Sequence, residues 1–116
     1  MGGEFRVNSF TTLDQLFPAL TMNTNGKMFI TWQDDLVDGS GTGVVARYYV
    51  SGNPAGPEFR VNTYTSGPQA FPVVTSDQSN GFCFAWASSQ DPDGSLGIYA
   101  QRYADVPVEL QSFVIE

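Results

Sequence analysis

Glu4-Phe5-Arg6-Val7-Asn8 recurs unchanged as Glu58-Phe59-Arg60-Val61-Asn62, and the step from 4 to 58 is 54 residues. The same step carries Thr11 to Thr65, Gln15 to Gln69, Phe17-Pro18 to Phe71-Pro72, Thr21 to Thr75 and Trp32 to Trp86. Asp38-Gly39-Ser40 meets Asp93-Gly94-Ser95 after a one-residue slip, and Gly43-Val44 meets Gly97-Ile98. The register across Arg47 and Arg102 stays open by one residue. Self-similarity at a fixed period of this length marks a repeat architecture, so the chain divides into two tandem copies, residues 4–57 and 58–105. Residues 106–116 form a C-terminal segment outside the repeat.

Each copy reads as four short strands. In the first they are Glu4–Ser9, Leu16–Met22, Lys27–Gln33 and Gly43–Val50. In the second they are Glu58–Thr63, Ala70–Thr75, Gly81–Ala87 and Gly97–Tyr103. Asn25-Gly26, Asn80-Gly81, Asp38-Gly39, Asp93-Gly94 and Gly52-Asn53-Pro54 punctuate them, the pairs ending in glycine suiting the positive φ of tight hairpins. No stretch has a helical period. In Phe82-Cys83-Phe84-Ala85-Trp86 both faces are apolar, as they are in Met28-Phe29-Ile30-Thr31-Trp32. Such strands belong in a sheet covered on both sides. Phe59 and Val61 instead alternate with Arg60 and Asn62, the pattern of a half-exposed outer strand.

These patterns predict an all-β fold of two four-stranded antiparallel blades of the β-propeller type. The first outer strand, Glu4–Ser9, precedes any complete blade, so its partners must come from elsewhere. Two blades alone cannot close a ring and would leave apolar sheet faces in water. The expected partner is therefore the chain itself, in a homo-oligomeric ring for which three chains giving six blades is the leading arrangement.

The residues Glu58-Phe59-Arg60-Val61-Asn62-Thr63, Gln69, Pro72, Trp86, Asp93-Gly94, Gly97-Ile98-Tyr99 and Gln101-Arg102-Tyr103, with the turn Gly52-Asn53-Pro54, resemble a repeat of large secreted and cell-surface bacterial proteins. The resemblance covers residues 4–105. It is close in the second copy and departs in the first at Leu36-Val37 and Val45-Ala46-Arg47. It implies a propeller-like fold and an extracellular or cell-surface location, and no particular activity. The tail Val106-Pro107-Val108-Glu109-Leu110, followed by Ser112-Phe113, resembles the segment that follows repeat regions in such proteins, ahead of a sorting domain. It implies a further domain beyond residue 116, and Met1-Gly2-Gly3 reads as a start placed on an excised piece.

Five Lys+Arg against twelve Asp+Glu give a net charge of -7, which repels phosphate backbones and anionic lipid. Neither nucleic acid nor membrane is expected as a partner. The chain has no histidine, which removes the commonest general base and zinc ligand together. Its one cysteine, Cys83, lies in an apolar run and reads as a core residue.

Three groups of residues are candidates for binding. Trp32 and Trp86 stand at equivalent strand positions and, with Tyr99 and Arg102, have the aromatic faces and polar donors that suit a sugar; their structural reading is that they fill the space between blades. Asp91 and Asp93, followed by Gly94, and Asp38 in the matching loop resemble the start of a calcium loop. Calcium is thus the one cofactor to test, against plain turns in which each aspartate accepts its own loop's N–H groups. Arg6, Arg60, Arg102 and Arg47 read as cross-strand ion pairs or donors to loop carbonyls. No nucleophile–base pair stands out, so an enzyme is not expected. The primary reading is a non-catalytic structural or adhesive module, and the alternative is a lectin-like propeller with equivalent glycan sites in each blade.

Overall fold

The computed structural model describes residues 3–35, 41–77 and 81–103. Asp38, the Asp38-Gly39 turn, Asn80 and the segment 106–116 lie outside them. Eight strands and no helix occur among the described residues: β1 (Gln15–Met22), β2 (Lys27–Asp35), β3 (Thr42–Val50), β4 (Asn53–Pro54), β5 (Phe59–Arg60), β6 (Gln69–Ser76), β7 (Phe82–Ser88) and β8 (Gly97–Tyr103). They form two antiparallel sheets. One runs β1-β2-β3, with β4 and β5 both on the outer edge of β3; the other runs β6-β7-β8.

The six long strands fall where the repeat places them, to within two residues. Their pairing is also repeated. Trp32 lies opposite Val45 and Trp86 opposite Tyr99; Asp34 lies opposite Gly43 and Ser88 opposite Gly97. This closes the open register: Arg47 corresponds to Gln101, and Tyr48 to Arg102. The irregularities repeat too. The β1–β2 ladder shifts between Leu16 and Ala19, the β6–β7 ladder between Ala70 and Val73. Phe17 and Phe71 take φ of 55° and 58° there, each before a proline that has no N–H to give the ladder. Their rings meet 5.3 Å apart.

The outer strands differ from expectation. Glu58–Thr63 shortens to β5, because beyond Arg60 a side chain takes over from the backbone: Val61 N–H donates to the Val44 carbonyl at 2.7 Å, but the Val44 N–H donates to Asn62 Oδ1 at 2.8 Å. Glu4–Ser9 is not a strand, and among the described residues no sheet edge pairs with it. It lies on the first sheet instead. The Phe5 ring packs 6.0 Å from Tyr49, and Arg47 donates to the Val7 carbonyl at 3.0 Å. Glu58 Oε1 accepts the N–H groups of Ser9 (2.6 Å) and Phe10 (3.2 Å) and the Ser9 hydroxyl (2.9 Å), tying the two outer segments together.

The core lies between the sheets. Phe29, Val44, Ala46 and Tyr48 of the first face Phe82, Phe84, Trp86 and Tyr103 of the second, with Val61 among them. Phe29 stacks on Tyr48 at 4.9 Å and meets Phe82 and Phe84 edge-on at 4.8 and 5.2 Å. Burial pushes the Tyr103 hydroxyl up to about 12. Polar links cross as well, with Gln33 accepting the Phe71 N–H at 3.3 Å and Thr21 bonded to Ser76 at 3.4 Å.

Each sheet is thus covered on one face by the other. The far faces keep much of their apolar surface in water within a single chain: Leu20 and Met22 on the first sheet, Val73 and Ile98 on the second are all exposed. Cover on both sides, which the strand pattern predicts, is therefore only half supplied by one chain.

Candidate functional site

The most closely gathered polar side chains lie where β1 and β2 meet. Asp34 is fully buried, and its carboxylate accepts Trp32 Nε1 at 3.2 Å and Gln15 Nε2 at 3.3 Å. Trp32 and Asp34 are two apart on one strand and so share a face; Gln15 arrives opposite Asp34 by register. Gln15 Oε1 accepts Asn8 Nδ2 at 3.1 Å, extending the chain of bonds to the N-terminal segment. Burial raises the Asp34 pKa, and the two donors only partly offset it. A groove of about 150 Å³ opens beside this cluster, lined by Val7, Asn8, Leu16, Pro18, Ile30 and Trp32.

The second copy has the same scaffold with two changes, at the Asp34 position and in the bond from Asn8 to Gln15, which Asn62 does not make to Gln69 Oε1. Ser88 stands where Asp34 stands, so Trp86 Nε1 loses its acceptor and is buried without a partner, as is Gln69 Oε1. The two tryptophans, the leading candidates for stacking a sugar, are 4% and 5% exposed, so each indole face is occupied by protein. Tyr99 lies beside Trp86 across the β7–β8 ladder, and its hydroxyl donates to Asp91 Oδ1. That bond raises the Tyr99 pKa. Trp86, Tyr99 and Asp91 are thus brought together, but Arg102 is not. It is exposed on the opposite face of β8, in a groove of about 300 Å³ with Thr75, Asp77 and Phe82.

The acidic loop is used internally. Asp93 Oδ1 accepts the Ser95 N–H at 3.0 Å and the Ser95 hydroxyl at 2.6 Å, which hold its carboxyl below the usual range. Gly94, at φ 80°, donates to the Asp91 carbonyl at 2.8 Å. Asp91 and Asp93 therefore address different donors, and no three metal-ligating side chains converge among the described residues. Three of the four arginines bond to carbonyls: Arg6 to Asn8, Arg60 to Asn62, Arg47 to Gly56 and Val7.

Sequence reasoning missed the Asn8–Gln15–Asp34 chain. The repetition of Gln15 as Gln69 was a signal for part of it; that Asp34 would be buried was not legible, because an aspartate near a strand end reads as a turn residue. Compared with protein families, with curated proteins and with solved structures, the chain matches none.

Proposed function

We propose that the chain is a non-catalytic repeat module of an extracellular bacterial protein, structural or adhesive, whose two copies act as stacked propeller-type blades. One observation carries this reading: each copy owns the same pair of faces, and within the chain only one of each packs against another sheet, the outer face of the first sheet meeting the N-terminal segment instead. The face of the second sheet that meets the first (Phe82, Phe84, Trp86, Tyr103) has as its counterpart the outer face of the first sheet (Met28, Ile30, Trp32, Tyr49). The face of the first sheet that meets the second has as its counterpart the outer face of the second (Cys83, Ala85, Ile98, Ala100). A further chain can therefore stack head to tail as the two copies do, and such heterologous contacts close into a ring when the rotation allows. The likeness of the repeat to those of secreted and cell-surface proteins supports the location, and duplicated units suit multivalent contact.

Light scattering on the purified chain tests this. A mass three times that of the chain is expected, and a monomer at every concentration would overturn the stacking. The groove beside Trp32, with Asn8 and Gln15 on its rim, favours the lectin-like reading as the alternative. At about 150 Å³ it is below the range of roughly 300–1,000 Å³ usual for small-molecule sites. Glycan-array binding that is lost on both Trp32→Ala and Trp86→Ala would favour that alternative.

A further inference from the structure

β3 and β8 are counterparts, but among the described residues only β3 has its outer edge filled. The residues that fill it belong to the repeated pentapeptide. Arg60 lies opposite Val45 and Phe59 opposite Ala46, the Val61 N–H donates to the Val44 carbonyl, and Asn62 Oδ1 accepts the Val44 N–H. Beyond the edge, the Phe59 ring packs on Tyr103 of the following sheet at 5.6 Å.

The first pentapeptide is already held in the same way, without an edge. Phe5 packs on Tyr49, the counterpart of Tyr103. Arg6 Nε donates to the Asn8 carbonyl at 3.1 Å and Asn8 Nδ2 to the Phe10 carbonyl at 2.9 Å. The second copy makes both bonds, from Arg60 to Asn62 and from Asn62 to Tyr64, each at 2.9 Å. Among the described residues no backbone carbonyl accepts the Val7 N–H, the counterpart of the Val61 donor.

We propose that Glu4–Ser9 of one copy of this chain docks as the outer strand on the β8 edge of a second copy. Arg6 then lies opposite Tyr99 and Phe5 opposite Ala100. The Val7 N–H donates to the Ile98 carbonyl, and Asn8 Oδ1 accepts the Ile98 N–H. The occupant is fixed by sequence, since the docking residues Glu-Phe-Arg-Val-Asn are identical to those on β3, and by the way the first sheet already holds them. The inference rests on the reading of the two copies as like units and deepens it by naming the seam. It requires no particular ring size.

Arg6 and Tyr99 would form a pair that is not hydrogen-bonded to each other, as Arg60 and Val45 do, where Cα atoms approach to about 4.5 Å and a disulfide can span them. Arg6→Cys with Tyr99→Cys, in a Cys83→Ala background, is expected to give covalent dimers and higher species on a non-reducing gel after mild oxidation. Monomer bands alone, with an oligomer still seen by light scattering, would overturn the strand docking and leave stacked repeats standing. A monomer at all concentrations of the unmodified chain would remove both. Val7→Pro is an independent test that removes the docking N–H. It is expected to weaken association about tenfold or more, with the circular dichroism and melting temperature of the dilute chain unchanged. Unaltered association would count against the proposal.

Discussion

Leu13 has a φ of 61° where the second copy places Gly67 at 70°. Glycine visits this region freely, whereas a side chain there costs on the order of 1–2 kcal/mol. Leu13 is exposed, so little packing is lost with it. Leu13→Gly is expected to raise stability by about 0.5–1 kcal/mol in urea unfolding, after the entropy glycine adds to the unfolded chain. The reverse change is worse, because a Cβ at Gly67 would stand 2.5 Å from Ser89 Oγ; Gly67→Ala is expected to cost about 1–3 kcal/mol in the same assay. Two titrating groups add pH dependence. The folded chain holds the Asp34 proton more tightly than the unfolded chain does, so stability falls as pH rises from 3.8 through the raised folded value. Asp34→Asn keeps an acceptor for Trp32 and is expected to flatten that slope in pH-dependent melting. Tyr103 acts at the other end. Between its ordinary 10.0 and the folded value of about 12, only the unfolded chain is ionised, and on the order of 2–3 kcal/mol of stability drains away. Tyrosinate absorbance during alkaline unfolding should show this loss, and Tyr103→Phe should remove it.

At the scale of elements, β2 is the hinge of the packing, since Phe29 touches rings from both sheets and from the outer segment Phe59. Phe29→Ala is expected to cost about 3–5 kcal/mol, and fluorescence of Trp32 and Trp86 should report one shared loss of both sheets. The six long strands were legible because their apolar runs and Gly turns are local signals. Glu4–Ser9 was not, because its pentapeptide is identical to one that does pair. What differs is whether an edge lies beside it, and strand formation is a property of two segments rather than one. The bulges at Phe17 and Phe71 went unread for a similar reason. A Phe-Pro pair announces a missing donor, but only the neighbouring ladder determines where the extra residue goes.

For the whole molecule, the decisive surface is the outer face of the second sheet. Ile98 is 79% exposed there, too open to hold the single chain together and well placed to be covered by another. Ile98→Asp is expected to leave the stability of the dilute chain within about 0.5 kcal/mol of its original value while abolishing concentration-dependent association, as sedimentation or light scattering would record. The sequence by itself determined the duplication, the all-β character and the positions of the six long strands, because periodicity and turn chemistry act over a few residues, while the strand ladders closed the register across Arg47 and Gln101. Tertiary structure alone decided that Asp34 is buried against Trp32 and Gln15, that Asp91 and Asp93 turn to separate donors, and that one face of each sheet stays open. Those outcomes depend on which surfaces meet through space, and two identical pentapeptides meet different surroundings when only one lies along a sheet edge.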